Sequence, residues 1–394
     1  MTEKTNIKNN KINEKFLPYG FQDINEEDIN EVVNTLRSDW ITTGPKINEF
    51  EQAFTKYVGC KHAVAVCNGT AALDIAVASL GLKKGSEIIT TPFTFVATAN
   101  AIIYNGCVPV FADIKKNTYN IDPAEIKKKI TTKTKAIIVV DYAGQPCNYD
   151  EIIEIAGKNN LYVIEDAAHS LGAEYKGKKT GNLVDLAIFS FHPVKHVTTG
   201  EGGMITTNND ELAAKLRILR NHGIDKNVLK QSKSVGTWHY DMKMLGRNYR
   251  MTDFQAALGI SQLKRLDSFI KKRQELVNFY NSELKKNEIT TPFVSKDAKH
   301  AWHLYTILLD MKIDREKVFL RMREKNIGVN VHYIPIYRHT YYMQNFNFPD
   351  KDFPNTEEIY SRILTLPLFP KMSLEDCKRV VNALKEAIEG VQNG

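Results

Sequence analysis

The chain has 394 residues, a formal net charge of +7 and an ordinary balance of 43% hydrophobic and 25% charged residues. This length suits two domains, and much of the positive charge falls in lysine-rich helices and the N-terminal tail, so we expect solvated faces and no nucleic-acid partner. Five cysteines without a Cys-x-x-Cys pair indicate a reducing compartment and argue against a zinc site, so no metal is expected. The N-terminus has no apolar signal segment and no run of about 18 apolar residues occurs, so we expect a cytoplasmic protein without a membrane span.

Residues 1–15 are predicted to be a disordered tail, and a short amphipathic helix at 26–36 then leads into a regular alternation of elements. Apolar, β-branched runs predict the strands, and apolar residues at helical spacing predict the helices. The predicted strands cover 62–67, 87–90, 108–113, 136–141, 161–165, 186–189 and 204–207, and the predicted helices cover 70–80, 96–104, 151–158 and 210–220. This alternation predicts an α/β fold with a mainly parallel sheet flanked by helices.

The character of the sequence changes after Met251. Two helical stretches come first, and mixed elements follow, which predicts a smaller α+β domain. The predicted helices cover 252–263, 266–286, 315–325 and 374–389, and the predicted strands cover 302–309 and 329–333. The expected organisation is therefore a tail at 1–15, a large domain at 16–270 and a small C-terminal domain at 271–394.

The segment from Ser190 to Lys195 is the one around which the candidate chemistry is arranged. A predicted buried strand ends in the serine, and the lysine follows five residues later, before a loop of small residues that ends at Gly203. Ligands bind at the carboxyl ends of strands in open α/β sheets. A lysine amine there can form a Schiff base, the attachment that pyridoxal phosphate enzymes use. For a lysine taken alone, an ordinary surface position is the alternative.

Two neighbouring strand ends carry groups that suit an anion. Thr70 begins the helix that follows the first strand, the chain approaches it through Gly69, and backbone amides at a helix N-terminus bind anions. Ser190 offers a second hydroxyl, so one phosphate group could be held by both segments. An ordinary turn with a helix N-cap is the alternative interpretation.

The strand predicted at 161–165 is followed by Asp166 and, a turn later, by His169. A buried carboxylate needs a cation or a hydrogen-bond donor as its partner. A pyridinium nitrogen is such a partner, and Asp166 would keep it protonated and make the ring an electron sink. Phe95, after another strand end, could cover a planar ring. A helix N-cap is the alternative for Asp166, and simple packing is the alternative for His169 and Phe95.

Together these motifs resemble the fold-type-I pyridoxal phosphate enzymes, and among them the nucleotide-sugar aminotransferases of the StrS/DegT type. The similarity extends from about Tyr19 to the C-terminal helix. Cys67 stands where that family more often has Asn or Ser, and the segment 225–241 has no clear counterpart in it. The shared segments are Gly69-Thr-Ala-Ala-Leu73, Thr91-Pro-x-x-Phe95, Glu165-Asp-Ala-Ala-His169, Ser190-Phe-His-Pro-Val-Lys195, Gly200-Glu-Gly-Gly203, Asn221-His-Gly223 and Gly246-Arg-Asn-Tyr-Arg-Met251.

The resemblance implies that pyridoxal 5'-phosphate is the cofactor and gives each motif residue a role. Lys195 would bind the cofactor as a Schiff base and then act as base and acid for the proton shift. Asp166 would pair with the ring nitrogen, Phe95 would stack on the ring, and His169 would lie near the ring hydroxyl.

The resemblance also implies phosphate and substrate contacts. Thr70, Ala71 and Ser190 would hold the cofactor phosphate, and Asn248 would reach it from the partner subunit, which implies a homodimer with shared sites. The implied substrate contacts are Tyr19, Asp39, Trp40, Ile41, Thr42, Gly69, Ala143, Ser190, Asn248, His332, Tyr333, Ile334 and Pro335.

Four more segments, 88–92, 95–100, 140–144 and 331–337, are similar to the pseudaminic acid branch of that family. This similarity implies transfer of an amino group from L-glutamate to C4 of a UDP-4-keto-6-deoxy-N-acetylhexosamine. The alternatives are amination of another nucleotide keto sugar, either on the UDP-bacillosamine route or at a C3 ketone, and a non-catalytic sensor on the same fold. A related dehydratase that replaces the lysine is a further alternative, and the presence of Lys195 argues against it.

Overall fold

A computed structural model describes residues 15–225, 238, 240–285 and 289–392. The predicted tail at 1–15 lies outside the described residues except for Lys15, and so does most of the segment 225–241. Within the described residues, no helix combines the length and the apolar character needed to cross a membrane.

The strands and helices predicted between residues 62 and 220 are all present, and the structure adds further elements to them. The helices are α1 Glu26–Leu36, α2 Pro45–Val58, α3 Gly69–Ser79, α4 Val96–Tyr104, α5 Pro123–Lys129, α6 Tyr149–Asn159, α7 Asp210–Leu219, α8 Asp253–Leu284, α9 Arg315–Glu324, α10 Thr340–Asn345, α11 Pro354–Arg362 and α12 Leu374–Gln392. The strands are β1 His62–Val66, β2 Glu87–Thr90, β3 Val108–Phe111, β4 Thr134–Val140, β5 Tyr162–Asp166, β6 Glu174–Tyr175, β7 Lys178–Lys179, β8 Leu186–Ser190, β9 Gly203–Thr207, β10 Ile224–Asp225, β11 Asp241–Met242, β12 Ile289–Thr290, β13 Ala298–Lys299, β14 Tyr305–Leu309 and β15 Ile363–Leu366.

The large sheet has seven strands in the order β1-β9-β8-β5-β4-β2-β3. The five strands from β8 to β3 pair in parallel, and β9 runs against both of its neighbours. Alternate residues of β1 enter different cores, Val64 and Val66 on the side of α3 and Ala63 and Ala65 on the side of α2. Helices therefore cover both faces, and the predicted mainly parallel α/β fold is confirmed.

The second half of the chain builds a smaller antiparallel sheet in the order β12-β14-β15. Helix α8 belongs to both halves, because Leu266 packs in the core that contains α2, while Leu276 and Tyr280 pack in the core under β14.

Two helices were predicted at 252–263 and 266–286, and the structure has one continuous helix there. The two residues that separate the predicted helices, Lys264 and Arg265, are good helix formers, so the sequence has no helix breaker at this point.

Two other predictions of local structure were wrong or incomplete. The strand predicted at 329–333 is absent, and Asn330 forms only an isolated bridge with Thr365. The Asn330 side chain accepts a hydrogen bond of 2.8 Å from the Val331 amide, a local bond that competes with a strand ladder. Helix α2 was not predicted, although Pro45 at its first turn and the buried Phe50 and Phe54 at helical spacing indicate it.

Candidate active site

The carboxyl ends of the parallel strands open into a cavity of about 360 Å³. This is the edge at which ligands bind in open α/β sheets, because successive loops diverge there. Nine of the residues singled out in the sequence line this cavity, and they are Tyr19, Gly69, Thr70, Phe95, Asp166, His169, Ser190, Lys195 and Tyr333.

One end of the cavity is the N-terminus of α3. Asn68 is the N-cap, and its side-chain oxygen accepts a hydrogen bond of 2.8 Å from the Ala71 amide. Gly69 and Thr70 occupy the first two helical positions, where backbone amides have no acceptor within the helix. A Cβ on Gly69 would lie 2.9 Å from the Ser190 Cβ, so only glycine lets these two segments approach this closely. The arrangement suits an anion held by amides and by the two hydroxyl groups of Thr70 and Ser190.

Asp166 is the last residue of β5, and its carboxylate is buried at the floor of the cavity. One carboxylate oxygen accepts a hydrogen bond of 2.8 Å from the Thr98 hydroxyl, and the other accepts one of 3.3 Å from the Ala168 amide. Burial raises the pKa of Asp166, while these two donors and the nearby Lys195 act in the opposite direction. A cationic ring nitrogen in the cavity would satisfy this carboxylate further.

Lys195 reaches the same cavity from the loop after β8. Burial lowers the pKa of its amine to about 8, and the charge of Asp166 works against that shift. A substantial share of the amine is therefore neutral near physiological pH, and only the neutral amine can attack a carbonyl carbon. Its Nζ lies 3.4 Å from Nε2 of His303, a residue that does not line the cavity.

His169 is held between backbone and side-chain partners at the cavity wall. The Ala143 amide donates to its Nδ1 over 3.3 Å, and its Nε2 lies 2.9 Å from the Tyr333 hydroxyl oxygen. Burial, together with the charge of Lys195, keeps the pKa of His169 well below its usual value, so the ring is neutral. Since Nδ1 accepts, Nε2 carries the proton and donates it to Tyr333.

Aromatic rings complete the wall. Phe95 keeps 57% of its surface exposed although its ring centroid lies 6.2 Å from that of Tyr333, so it offers a free face at the cavity mouth. The Tyr19 ring lies 5.2 Å from the ring of His332 and lines the cavity from the N-terminal segment. Such faces suit a planar ring or a sugar.

The remaining residues implied by the resemblance lie elsewhere in this chain. Ala71 lines a neighbouring groove together with Arg247 and Tyr249. Asn248 forms a bridge with Asn221, on a segment that does not line the cavity of its own chain. The others that do not line this cavity are Asp39, Trp40, Ile41, Thr42, Ala143, His332, Ile334 and Pro335.

Several of these outlying residues have well-defined surroundings. His332 is buried and lies 2.9 Å from the Thr365 hydroxyl through Nδ1, and burial with the charge of Lys195 lowers its pKa to about 3. Trp40 and Ile41 are more than half exposed, and the Ile41 carbonyl accepts a hydrogen bond of 3.0 Å from the amide of Asp253. These exposed apolar side chains leave a surface that a substrate or a second subunit could cover.

Sequence reasoning missed Thr98 and His303, although Thr98 contacts Asp166 and His303 contacts Lys195. Thr98 lies four residues after Thr94, and the two hydroxyl oxygens are 3.1 Å apart. Thr94 precedes the predicted helix at 96–104, so the spacing itself is no helical signal, and only the place of Thr98 in the first turn of that helix, next to the strand end, was a usable indication. Nothing local marks His303, because its contact with Lys195 depends on how the second half of the chain packs.

The residues that line the cavity fit pyridoxal phosphate. The α3 N-terminus, where Gly69 lies close to Ser190, suits the phosphate, and the buried Asp166 suits a protonated ring nitrogen. Lys195, with its lowered pKa, opens into the same cavity and can reach an aldehyde carbon there.

Comparison with known proteins agrees with this geometry. The family model described as the DegT/DnrJ/EryC1/StrS aminotransferase family matches residues 22–385. An uncharacterized protein of Methanocaldococcus jannaschii is 49% identical over 96% of this chain and 99% of its own length. The spore coat polysaccharide biosynthesis protein SpsC of Bacillus subtilis is 43% identical over 95% of this chain and 98% of its own length.

Two further similarities carry more specific names. The UDP-4-amino-4,6-dideoxy-N-acetyl-beta-L-altrosamine transaminase of a Campylobacter jejuni strain is 41% identical over 96% of this chain and 99% of its own length. The solved structure of Helicobacter pylori PseC, an aminotransferase involved in the biosynthesis of pseudaminic acid, has a TM-score of 0.89 at 33% identity. That alignment covers 95% of this chain and 100% of the PseC chain.

Proposed function

The chain belongs to the DegT/DnrJ/EryC1/StrS aminotransferase family and is a pyridoxal phosphate-dependent sugar aminotransferase, and we propose that it transfers an amino group from L-glutamate to C4 of a UDP-4-keto-6-deoxy-N-acetylhexosamine. The product would be the 4-amino sugar of the pseudaminic acid route. We also propose that it works in the cytoplasm as a homodimer.

The observation that carries this proposal is the convergence of Lys195, Asp166 and the α3 N-terminus on one cavity. Bound pyridoxal phosphate supplies the electron sink that stabilises a carbanion next to the transferred nitrogen. Lys195 would hold the cofactor and move the proton at its Nζ, and Asp166 would keep the proton on the ring nitrogen. Gly69, Thr70 and Ser190 would hold the phosphate and so orient the cofactor in the cavity.

The choice of sugar is supported by the names of two similar proteins and by the aromatic wall. Both the Campylobacter transaminase and PseC carry names that point to this route. In this chain Tyr19 and Tyr333 line the cavity and offer aromatic faces to a hexose or a uracil. The similarity to SpsC favours a second candidate, amination of a different nucleotide keto sugar used in a surface polysaccharide.

The experiment that separates these candidates is direct. The purified enzyme is incubated with glutamate and, in turn, with the L-arabino and the D-xylo epimers of the UDP-linked 4-ketone and with a 3-ketone. We expect preferential turnover of the L-arabino epimer, with the new amine at C4 by NMR coupling and mass. Preferential turnover of the D-xylo epimer, or an amine at C3, would overturn the substrate assignment and leave the aminotransferase assignment in place.

A sensor on the same fold would bind the cofactor without turnover, so turnover by the wild-type protein excludes it. The Lys195→Ala variant then tests whether this turnover depends on the lysine. We expect the variant to bind pyridoxamine phosphate, to lack the visible absorbance of lysine-bound cofactor and to complete no second turnover. Lys299→Ala is the matched control, since Lys299 forms an exposed ion pair with Glu174 and neither residue lines the cavity. A wild-type kcat in Lys195→Ala would contradict the role of the lysine.

The homodimer is proposed because Asn248, to which the family resemblance gives a phosphate contact, is not among the residues that line the cavity of its own chain. Asn248 would then serve the partner's cavity. Mixing Lys195→Ala subunits with Asn248→Leu subunits should restore activity in heterodimers that contain one intact site. With subunit exchange confirmed by differently tagged chains, a mixture that stays inactive would rule out shared sites.

A further inference from the structure

His303 approaches Lys195 from behind the cavity. It precedes β14, its side chain is 4% exposed, and its Nε2 lies 3.4 Å from the lysine Nζ. Since Lys195 lines the cavity and His303 does not, the imidazole contacts the amine from outside the lining of the cavity. The second half of the chain therefore places a ring directly against the reactive nitrogen contributed by the first half.

The position of this ring is fixed by its backbone. The His303 amide donates to the Ala143 carbonyl over 2.9 Å, and the His303 carbonyl accepts from the Arg273 guanidinium over 3.3 Å. The same buried guanidinium nitrogen also binds the carbonyls of Trp302 and Leu368 at 3.1 and 2.8 Å. Gly144 lets the two segments meet, because a Cβ there would lie 3.1 Å from the His303 amide nitrogen.

The protonation state of His303 follows from its neighbours. His169 and His196 have ring centroids 4.4 and 5.5 Å away, and burial with the positive charges of Lys195 and Arg273 keeps the pKa of His303 well below its usual value. The ring is therefore neutral and has one nitrogen lone pair. Nε2 is the nitrogen that meets the amine, so Nδ1, which has no hydrogen-bond partner within the described part of the chain, carries the ring proton when Nε2 accepts.

We propose that His303 is a positioning residue for Lys195, whose Nζ donates a hydrogen bond to His303 Nε2. The bond directs one N–H of the lysine backward, so that the remaining face of the nitrogen is turned to the cavity, where the aldehyde carbon must arrive. This inference rests on the proposed function, in which Lys195 is the residue that binds the cofactor.

The test uses two substitutions of equal length, His303→Gln and His303→Met. The amide oxygen of glutamine can accept the lysine N–H, and the methionine sulfur is a poor acceptor. The full-length chain is freed of cofactor, pyridoxal phosphate is added as the probe, and the rate of attachment is followed by visible absorbance across pH. Attachment is measured before any sugar is present, so it is independent of the identity of the sugar.

We expect His303→Met to lower the midpoint of the pH profile by about one unit, because the protonated amine loses one hydrogen-bond acceptor. We also expect its limiting rate at high pH to fall about tenfold, the equivalent of one lost hydrogen bond. His303→Gln should restore most of both values. Unchanged midpoint and limiting rate in His303→Met, or equal losses in both variants, would overturn the proposal.

Two measurements protect this test against trivial outcomes. His300→Asn is the matched control, since His300 is buried in the same segment but accepts its hydrogen bond from the Trp302 amide and does not contact Lys195. Nitrogen NMR of the unaltered, histidine-labelled protein should show an unprotonated Nε2 at His303, and a protonated Nε2 would overturn the proposal without any variant. If wild-type protein failed to attach the probe at all, the proposed function itself would fail.

Discussion

The Tyr333 hydroxyl oxygen and Nε2 of His169 lie 2.9 Å apart, although the two residues are 164 positions apart in the chain. The Ala143 amide occupies Nδ1 of the histidine, so His169 donates and Tyr333 accepts. The tyrosine proton is then not used by His169, and burial raises the pKa of Tyr333, which keeps that proton in place on a residue that lines the cavity. Tyr333 therefore offers a neutral hydrogen-bond donor to whatever fills the cavity.

Tyr333→Phe removes this donor and keeps the ring. We expect the affinity for pyridoxal phosphate or for the sugar nucleotide to fall about fivefold to tenfold, the value of one hydrogen bond, with little change in stability. Fluorescence titration of cofactor and steady-state KM would show it. Tyr337→Phe is the control, because that hydroxyl donates to Glu357 outside the cavity. Equal effects of the two substitutions would contradict the role given to Tyr333.

Asp166→Asn tests the carboxylate at the floor of the cavity. The asparagine oxygen can still accept from Thr98, so we expect the fold and the melting temperature to be retained. A neutral side chain no longer holds a proton on the ring nitrogen, and kcat should fall about a hundredfold or more, as is typical for loss of a general acid–base or electrostatic group. Normal turnover in Asp166→Asn would require another partner for the ring.

Glu165 points away from Asp166 into a fully buried cluster. Its ionisation should therefore change the free energy of unfolding as the pH changes. Burial raises the pKa of its neighbour Asp141 as well, but Asp141 accepts hydrogen bonds of 2.8 Å from the Cys147 amide and from the hydroxyls of Tyr149 and Ser170, and these donors act in the opposite direction. Glu165 Oε1 has no hydrogen-bond partner in the described ranges, and burial beside Asp141 raises the pKa of Glu165 well above its usual value. Glu165 is thus the protonated member of the pair.

The sign of the resulting pH dependence follows from linkage. The folded protein holds a proton that the unfolded chain releases above about pH 4.3, so this contribution to stability is present in acid and is lost as pH rises. Glu165→Gln mimics the protonated form and should raise the free energy of unfolding by about 1–2 kcal/mol at pH 8, with no gain at pH 4. Urea unfolding at both pH values measures this. A variant less stable than wild type at pH 8 would contradict the assignment.

Gly69→Ala tests the close approach of α3 to β8. The new Cβ would meet the Ser190 Cβ at 2.9 Å, so Ser190 must move and the two hydroxyl groups separate. We expect weaker binding of pyridoxal phosphate by about tenfold, and a loss of stability of about 1–3 kcal/mol from overpacking. Gly157→Ala serves as a control for glycine replacement in open space, because a Cβ at this position of α6 would meet no neighbouring segment within 4 Å. Unaltered cofactor affinity in Gly69→Ala would show that the close approach of Gly69 to Ser190 has no role in cofactor binding.

Much of the cofactor side of the site could be predicted from sequence, because each residue there follows a strand. Asp166 ends β5 and Lys195 follows β8, and parallel strands bring their carboxyl ends to one edge of the sheet. The local pattern of apolar runs was therefore enough to bring these residues together. The glycine at 69 was visible as well, since a helix begins at it.

The other wall of the cavity could not be predicted in the same way. Tyr333 lies in an irregular segment where a strand had been expected, and His303 follows Trp302, which has a left-handed φ of 56°. Neither periodicity nor propensity encodes where such segments dock, because their positions depend on long-range packing against α8 and Ala143. Thr98 is an intermediate case, since its helix was predicted and only its target was unknown.

Helix α8 joins the core around α2 to the core beneath β14 without a break. A gene divided near codon 270 would give two polypeptides that each keep the core into which their half of the helix packs, and the helical hydrogen bonds across the division would be lost. The unbroken backbone of one helix therefore ties together two parts that each have their own sheet and their own core.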